Sequence, residues 1–104
     1  MITSTAPVFA ALGDETRLRI LSRLCAGGPA SIASLTSGTG ITRQSITKHL
    51  RVLVEAGLVY GTRAGRESSW ELRPEKIARA CLSLERLSRE WDQTRGRLKS
   101  SVKE

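Results

Sequence analysis

Apolar residues recur along this chain with two periods, and the points where the period changes mark its elements. Near the N-terminus, Val8, Phe9, Ala10, Ala11 and Leu12 form a short apolar run that predicts a first helix ending near Gly13. From Asp14 the spacing is helical, with Leu18, Leu21 and Leu24/Cys25 on one stripe and Arg17, Arg19 and Arg23 mostly off it. Asp14 is placed to cap this helix or supply its first-turn acid, and Gly27-Gly28-Pro29 ends it.

Ser31 can cap a short helix through about Thr36, with Ile32 and Leu35 turned inward. Ser37-Gly38-Thr39-Gly40 supplies a tight turn. Thr42 then stands at the cap of a second helix running to about Ala56, which Gly57 ends. Two helices joined in this way, over about residues 31–56, predict a helix-turn-helix. Beyond Gly57 the period falls to that of extended chain. Leu58 to Thr62 and Ser68 to Leu72 read as two strands, and Arg63-Ala64-Gly65-Arg66-Glu67 as the turn between them, within a hairpin over about residues 58–73.

Pro74 suits the first turn of a long helix. Ile77, Leu84, Trp91 and Leu98 stand seven residues apart, with Ala80 and Leu87 between them. This stripe predicts a helix over about residues 74–99 that lies against another helix. The pattern weakens at Thr94, and Ser100-Ser101-Val102-Lys103-Glu104 reads as a fraying tail. The expected fold is mainly α with one small β-hairpin. At 104 residues the chain is expected to form a single domain, with pairing to a second copy adding to its stability.

Charge changes this picture. Seventeen Lys and Arg against ten Asp and Glu give a formal net charge of +7, and the pI is near 10.5. Such a balance points to a polyanionic partner, and position gives that partner a site. In the helix after Thr42, Ile46, Leu50 and Leu53 share one face. Gln44, Thr47, Lys48 and Arg51 share the opposite one, with Arg43 at its N-terminal edge. Arg and Lys donate to guanine O6 and N7, Gln pairs with adenine, and Thr bonds a base or a phosphate. Thr42, Arg43, Gln44, Ser45, Thr47, Lys48 and Arg51 are therefore the candidate contacts to double-stranded DNA. Arg63 and Arg66 at the hairpin tip are placed for the phosphate backbone or the minor groove.

From about Val8 to Leu98 the chain resembles the ArsR-type family of winged helix-turn-helix repressors. The resemblance rests on Ala11-Leu12-Gly13-Asp14-Glu15-Thr16-Arg17-Leu18-Arg19-Ile20-Leu21, on Leu35, and on Thr42 through Leu53. It continues through Ala56-Gly57-Leu58-Val59 and the wing Arg63-Ala64-Gly65-Arg66-Glu67. It implies a three-helix core plus wing and a long C-terminal dimerisation helix. It also implies a homodimer that binds imperfect palindromes in promoters and represses transcription. The expected dimer contacts are Ile77, Ala80, Cys81, Leu84, Leu87, Trp91 and Leu98, with Val8, Phe9 and Leu12 completing them.

The chain departs from the metal-sensing members of that family. Ser31-Ile32-Ala33-Ser34-Leu35-Thr36 has neither Cys nor His, and the C-terminal helix has no His. Two distant cysteines and the single His49, beside the core face of its helix, fall short of a usual zinc shell. No metal and no cofactor are therefore expected. Cys25 and Cys81 read as small core hydrophobes, with a redox-responsive thiol as the alternative. A metal-responsive repressor of the same fold, or a winged-helix protein-interaction module, are the other readings. No P-loop, nucleophile elbow or dinucleotide fingerprint is present, so no enzyme is expected. Neither a signal peptide nor an apolar run of membrane-spanning length appears. The expected compartment is the cytoplasm.

Overall fold

The computed structural model describes residues 2–102, and the surroundings of side chains over residues 5–98. Lys103 and Glu104, in the expected frayed tail, lie outside the described residues. Seven elements follow in order: α1 (Ile2–Leu12), α2 (Glu15–Gly27), α3 (Ile32–Thr36), α4 (Arg43–Glu55), β1 (Val59–Ala64), β2 (Glu67–Leu72) and α5 (Pro74–Val102).

Local chemistry sets most of these boundaries. Asp14, Ser31 and Thr42 are extended residues whose side chains accept the backbone N–H three residues on, from Arg17, Ser34 and Ser45. Each satisfies a donor that the first helical turn leaves without a partner. At the end of α4, Leu58 N–H donates to Leu53 O and Gly57 N–H to Val54 O, both at 3.0 Å. Gly57 has φ +78°, the left-handed residue this paired closure needs. The chain leaves α4 already aimed into β1, and Leu58 and Val59 are buried at once.

Two boundaries differ from the sequence reading at the ends. The first helix begins at Ile2 and carries Pro7 inside it, whereas the pattern suggested Val8. The last continues to Val102 instead of stopping near residue 99. The core gathers Val8 and Ala11 from α1, Ile20, Leu21 and Leu24 from α2, and Leu35 from α3. Ile46, Leu50 and Leu53 from α4, Leu58, Val59 and Ala80 complete most of it.

Leu18 is a correction: it is 49% exposed. The apolar stripe of α2 runs through Ile20, Leu21 and Leu24, and the inward position one turn before them belongs to Arg17 (below). Cys25 is a correction too, since it is exposed in the chain; Cys81, expected on the packing stripe of the last helix, is also exposed in the single chain. Cys25 follows the buried Leu24 and Cys81 follows the buried Ala80, so each is rotated about 100° off the inner face.

The helix α5 has 29 residues and is about 43 Å long at 1.5 Å per residue. Only its first part meets the chain's own core. Ala80 is buried and Ile77 lies against the core, whereas Leu84, Leu87, Trp91 and Leu98 are each more than half exposed. The molecule is accordingly long, with extents of 69 × 28 × 21 Å.

Candidate nucleic-acid interface

The helix α4 is fixed on one side and open on the other. Ile46, Leu50 and Leu53 are buried to 2% exposure or less, which sets the roll of the helix about its axis. With that face down, Arg43, Gln44, Lys48 and Arg51 are exposed on the other, and Ser45 and Thr47 are half-buried. The structure therefore brings the charged and amide members of the candidate set onto one open surface.

The hydroxyl groups are partly committed. Thr42 Oγ1 accepts the N–H of Ser45 at 3.1 Å, so it serves as the cap. Thr47 Oγ1 donates to Arg43 O at 2.8 Å, which leaves its lone pairs free to accept from a donor. The exposed Arg43, Gln44, Lys48 and Arg51 keep their donors directed toward solvent.

The hairpin stands beside this helix. Its strands pair antiparallel from Val59↔Leu72 to Ala64↔Glu67, so each is longer at the tip than the sequence pattern indicated. The connection is only Gly65-Arg66. Gly65 has φ +64° at the first central position, where a tight hairpin turn of this hand favours glycine. Arg63 and Arg66 are both exposed at this tip, and Arg63 Nε donates to Gly65 O at 3.3 Å. Ala30 and Trp70 form a bridge outside the hairpin, which ties β2 to the segment between α2 and α3. The wing is thus fixed to the helix-turn-helix rather than hanging from it.

His49 is a residue whose setting the sequence left open. Its ring lies over the start of α2, with Nδ1 3.3 Å from Arg17 Nη1 and 3.7 Å from Asp14 Oδ2. The backbone N–H of Arg17 holds the Asp14 carboxyl below the usual carboxylate range, with a smaller contribution from His49. The Asp-x-x-Arg spacing was visible as a cap; its third partner, 32 residues away from Arg17, was not.

Among the described residues, no three His, Cys, Asp or Glu side chains converge. The α3 face offers only hydroxyls, and Cys25 and Cys81 sit on different helices. Among the described residues, no helix is long and apolar enough to cross a membrane.

Comparison with known proteins agrees with this geometry. Residues 12–60 match a family described as a helix-turn-helix domain. The solved ArsR-like transcriptional regulator from Rhodococcus sp. RHA1 is 36% identical, with a TM-score of 0.81 over 95% of this chain and 92% of that one. A homodimeric winged helix-turn-helix DNA-binding domain from Mycobacterium bovis, a possible ArsR-family regulator, is 26% identical. Its TM-score is 0.68 over 89% of this chain and 85% of that one. The arsenical resistance operon repressor of Bacillus subtilis (strain 168) is 32% identical over 69 residues, 66% of this chain and 66% of that protein. With its capped recognition helix, its bridged wing and these relatives, the chain belongs to the ArsR family of winged helix-turn-helix transcriptional regulators.

Proposed function

We propose that the chain acts as a homodimeric repressor that reads a palindromic operator in double-stranded DNA, in the cytoplasm and without a metal. The observation that carries this reading is the two-sided character of α4. One face is locked into the core, and the other presents Arg43, Gln44, Lys48 and Arg51 to solvent beside the wing arginines Arg63 and Arg66. A helix docking to protein would expose aromatic or aliphatic side chains there; this one exposes donors. Gln44 and Arg43 suit base edges near the N-terminus of the helix. Lys48 and Arg51 have the reach for either base edges or phosphates.

Palindromic recognition requires a two-fold pair of reading heads. The exposed Leu84, Leu87, Trp91 and Leu98 on α5 form the apolar face that a second copy covers. Cys81 borders that face, while Phe9 and Leu12 are half-buried on α1. Val8 and Ala80, also placed at the dimer contact by the sequence pattern, are spent in the chain's own core at 1% and 3% exposure. The contact is therefore assigned to the outer part of α5.

A Gln44/Lys48/Arg51 triple alanine variant tests the reading. It should remain folded and lose operator binding by at least a hundredfold, about 2.7 kcal/mol. Unchanged affinity would remove α4 from the interface. Chelator and added zinc, copper or arsenite should leave operator affinity within about tenfold, ~1.4 kcal/mol of coupling.

A second reading keeps the same DNA function and adds a thiol input, since Cys25 and Cys81 are both exposed in the chain. Loss of binding under peroxide that thiol restores would select it.

A further inference from the structure

The helices α1 and α4 share the core through Val8, Ala11, Ile46 and Leu50, but above it they stand apart. A groove of about 370 Å³, with Pro7, Ala10, Val52 and Glu55 in its walls, lies between them. Arg17 also lines that groove and crosses it. Its Nε donates to Ala11 O at 2.6 Å and its Nη2 to Ala10 O at 3.4 Å. These are carbonyls at the C-terminal end of α1, where the helix dipole favours a cation, and Ala10 O also accepts from Gly13 N–H at 3.2 Å. On the far side, Nη1 meets His49 Nδ1 at 3.3 Å, on the inward flank of α4. One guanidinium thus joins the end of α1 to the middle of the DNA-reading helix.

A guanidinium can only donate, so in this contact Nδ1 is the acceptor. Asp14 and Arg17 are, among the described residues, the charged groups within ion-pair or hydrogen-bond distance of the ring.

We propose that Arg17 is a positioning residue for DNA reading, which acts through His49 to hold the recognition helix against the end of α1. The proposal rests on the reading of α4 as the DNA-contacting helix.

The test measures duplex binding by the full chain at pH 8, using an operator selected from random sequence and an unrelated duplex. The variants are Arg17→Gln, His49→Ala and His49→Asn. Arg17→Gln and His49→Ala should remain dimers and lose about tenfold in operator affinity, within the usual range for coupled sites, with binding to the unrelated duplex unchanged. His49→Asn places an amide oxygen where Nδ1 accepts, so it should recover most of the loss at pH 8. A folded His49→Ala dimer that binds the operator like the unmodified chain would overturn the proposal, as would His49→Asn behaving like His49→Ala. Should Arg17→Gln not fold, the two His49 variants decide the matter alone. Failure of the DNA reading itself would look different: the unmodified chain would prefer no duplex.

Discussion

Ala30 and Trp70 exchange both of their backbone hydrogen bonds, Ala30 N–H to Trp70 O at 3.1 Å and Trp70 N–H to Ala30 O at 2.9 Å. This one bridge extends the two-stranded wing by a third partner and anchors it to the segment that leads into α3. Trp70 should therefore hold its amide against exchange longer than Arg66 or Glu67 at the open tip. Trp70→Ala, which removes a half-buried indole lying against the core, should cost about 2 kcal/mol of stability and weaken operator binding through a loosened wing. Native-state hydrogen exchange and operator titration read the two effects separately.

The outer part of α5 should form the dimer contact. Leu84, Leu87, Trp91 and Leu98 are 53–59% exposed in the single chain, a large apolar stripe for so small a protein to leave in water. Truncating a central aromatic anchor commonly costs ~2 kcal/mol or more. Trp91→Ala should accordingly raise the dimer dissociation constant about thirtyfold or more in sedimentation equilibrium. A monomer at micromolar concentration for the unmodified chain would contradict the assignment.

The wing arginines should contribute charge rather than sequence reading. Each phosphate contact releases condensed counterions, so log affinity falls with log salt by about 0.9 per phosphate on duplex DNA. Arg63→Ala and Arg66→Ala should each lower that slope by roughly one and weaken operator and unrelated duplexes alike. Gln44→Ala should leave the slope unchanged and relax base preference, with a loss of about 1–3 kcal/mol if a bidentate contact goes.

Acid should weaken the start of α2. The Arg17 N–H holds the Asp14 carboxyl below its ordinary value in the folded chain. A depressed carboxylate contributes stability that is fully present above its unfolded pKa, about 3.9, and is lost as pH falls through the lower folded value. The stability difference between the unmodified chain and Asp14→Ala should hold from pH 7 to about pH 5 and narrow below pH 4. Chemical denaturation across that range measures it, and a difference that grows on acidification would contradict the capping role.

Those local features were legible in the sequence because they depend on neighbours along the chain. The caps Asp14, Ser31 and Thr42, the closure at Gly57 and the core face Ile46-Leu50-Leu53 each lie within one or two turns of helix. The apolar residues of α2 admit two stripes, one through Leu18 and one through Ile20. The choice between them is made by Arg17, which turns inward because the α1 carbonyls lie there. No periodicity in α2 carries that information. The contact of His49 with Arg17 is likewise set by tertiary packing. The seven-residue stripe on α5 shows that Ile77 through Leu98 need covering, but not by which copy. The structure divides it, with Ile77 and Ala80 on the chain's own core and Leu84, Leu87, Trp91 and Leu98 exposed in the single chain.

The central claim is that two copies of α4 read one operator. Selection of bound duplexes from a random pool by the purified full chain tests it most directly. The expected result is an inverted repeat whose half-sites are centred about 10 base pairs apart, or a multiple of that spacing, as a two-fold pair of recognition helices requires. A Gln44/Lys48/Arg51 triple alanine variant should lose the enrichment. Recovery of no preferred sequence, or of a lone half-site without symmetry, would contradict the account.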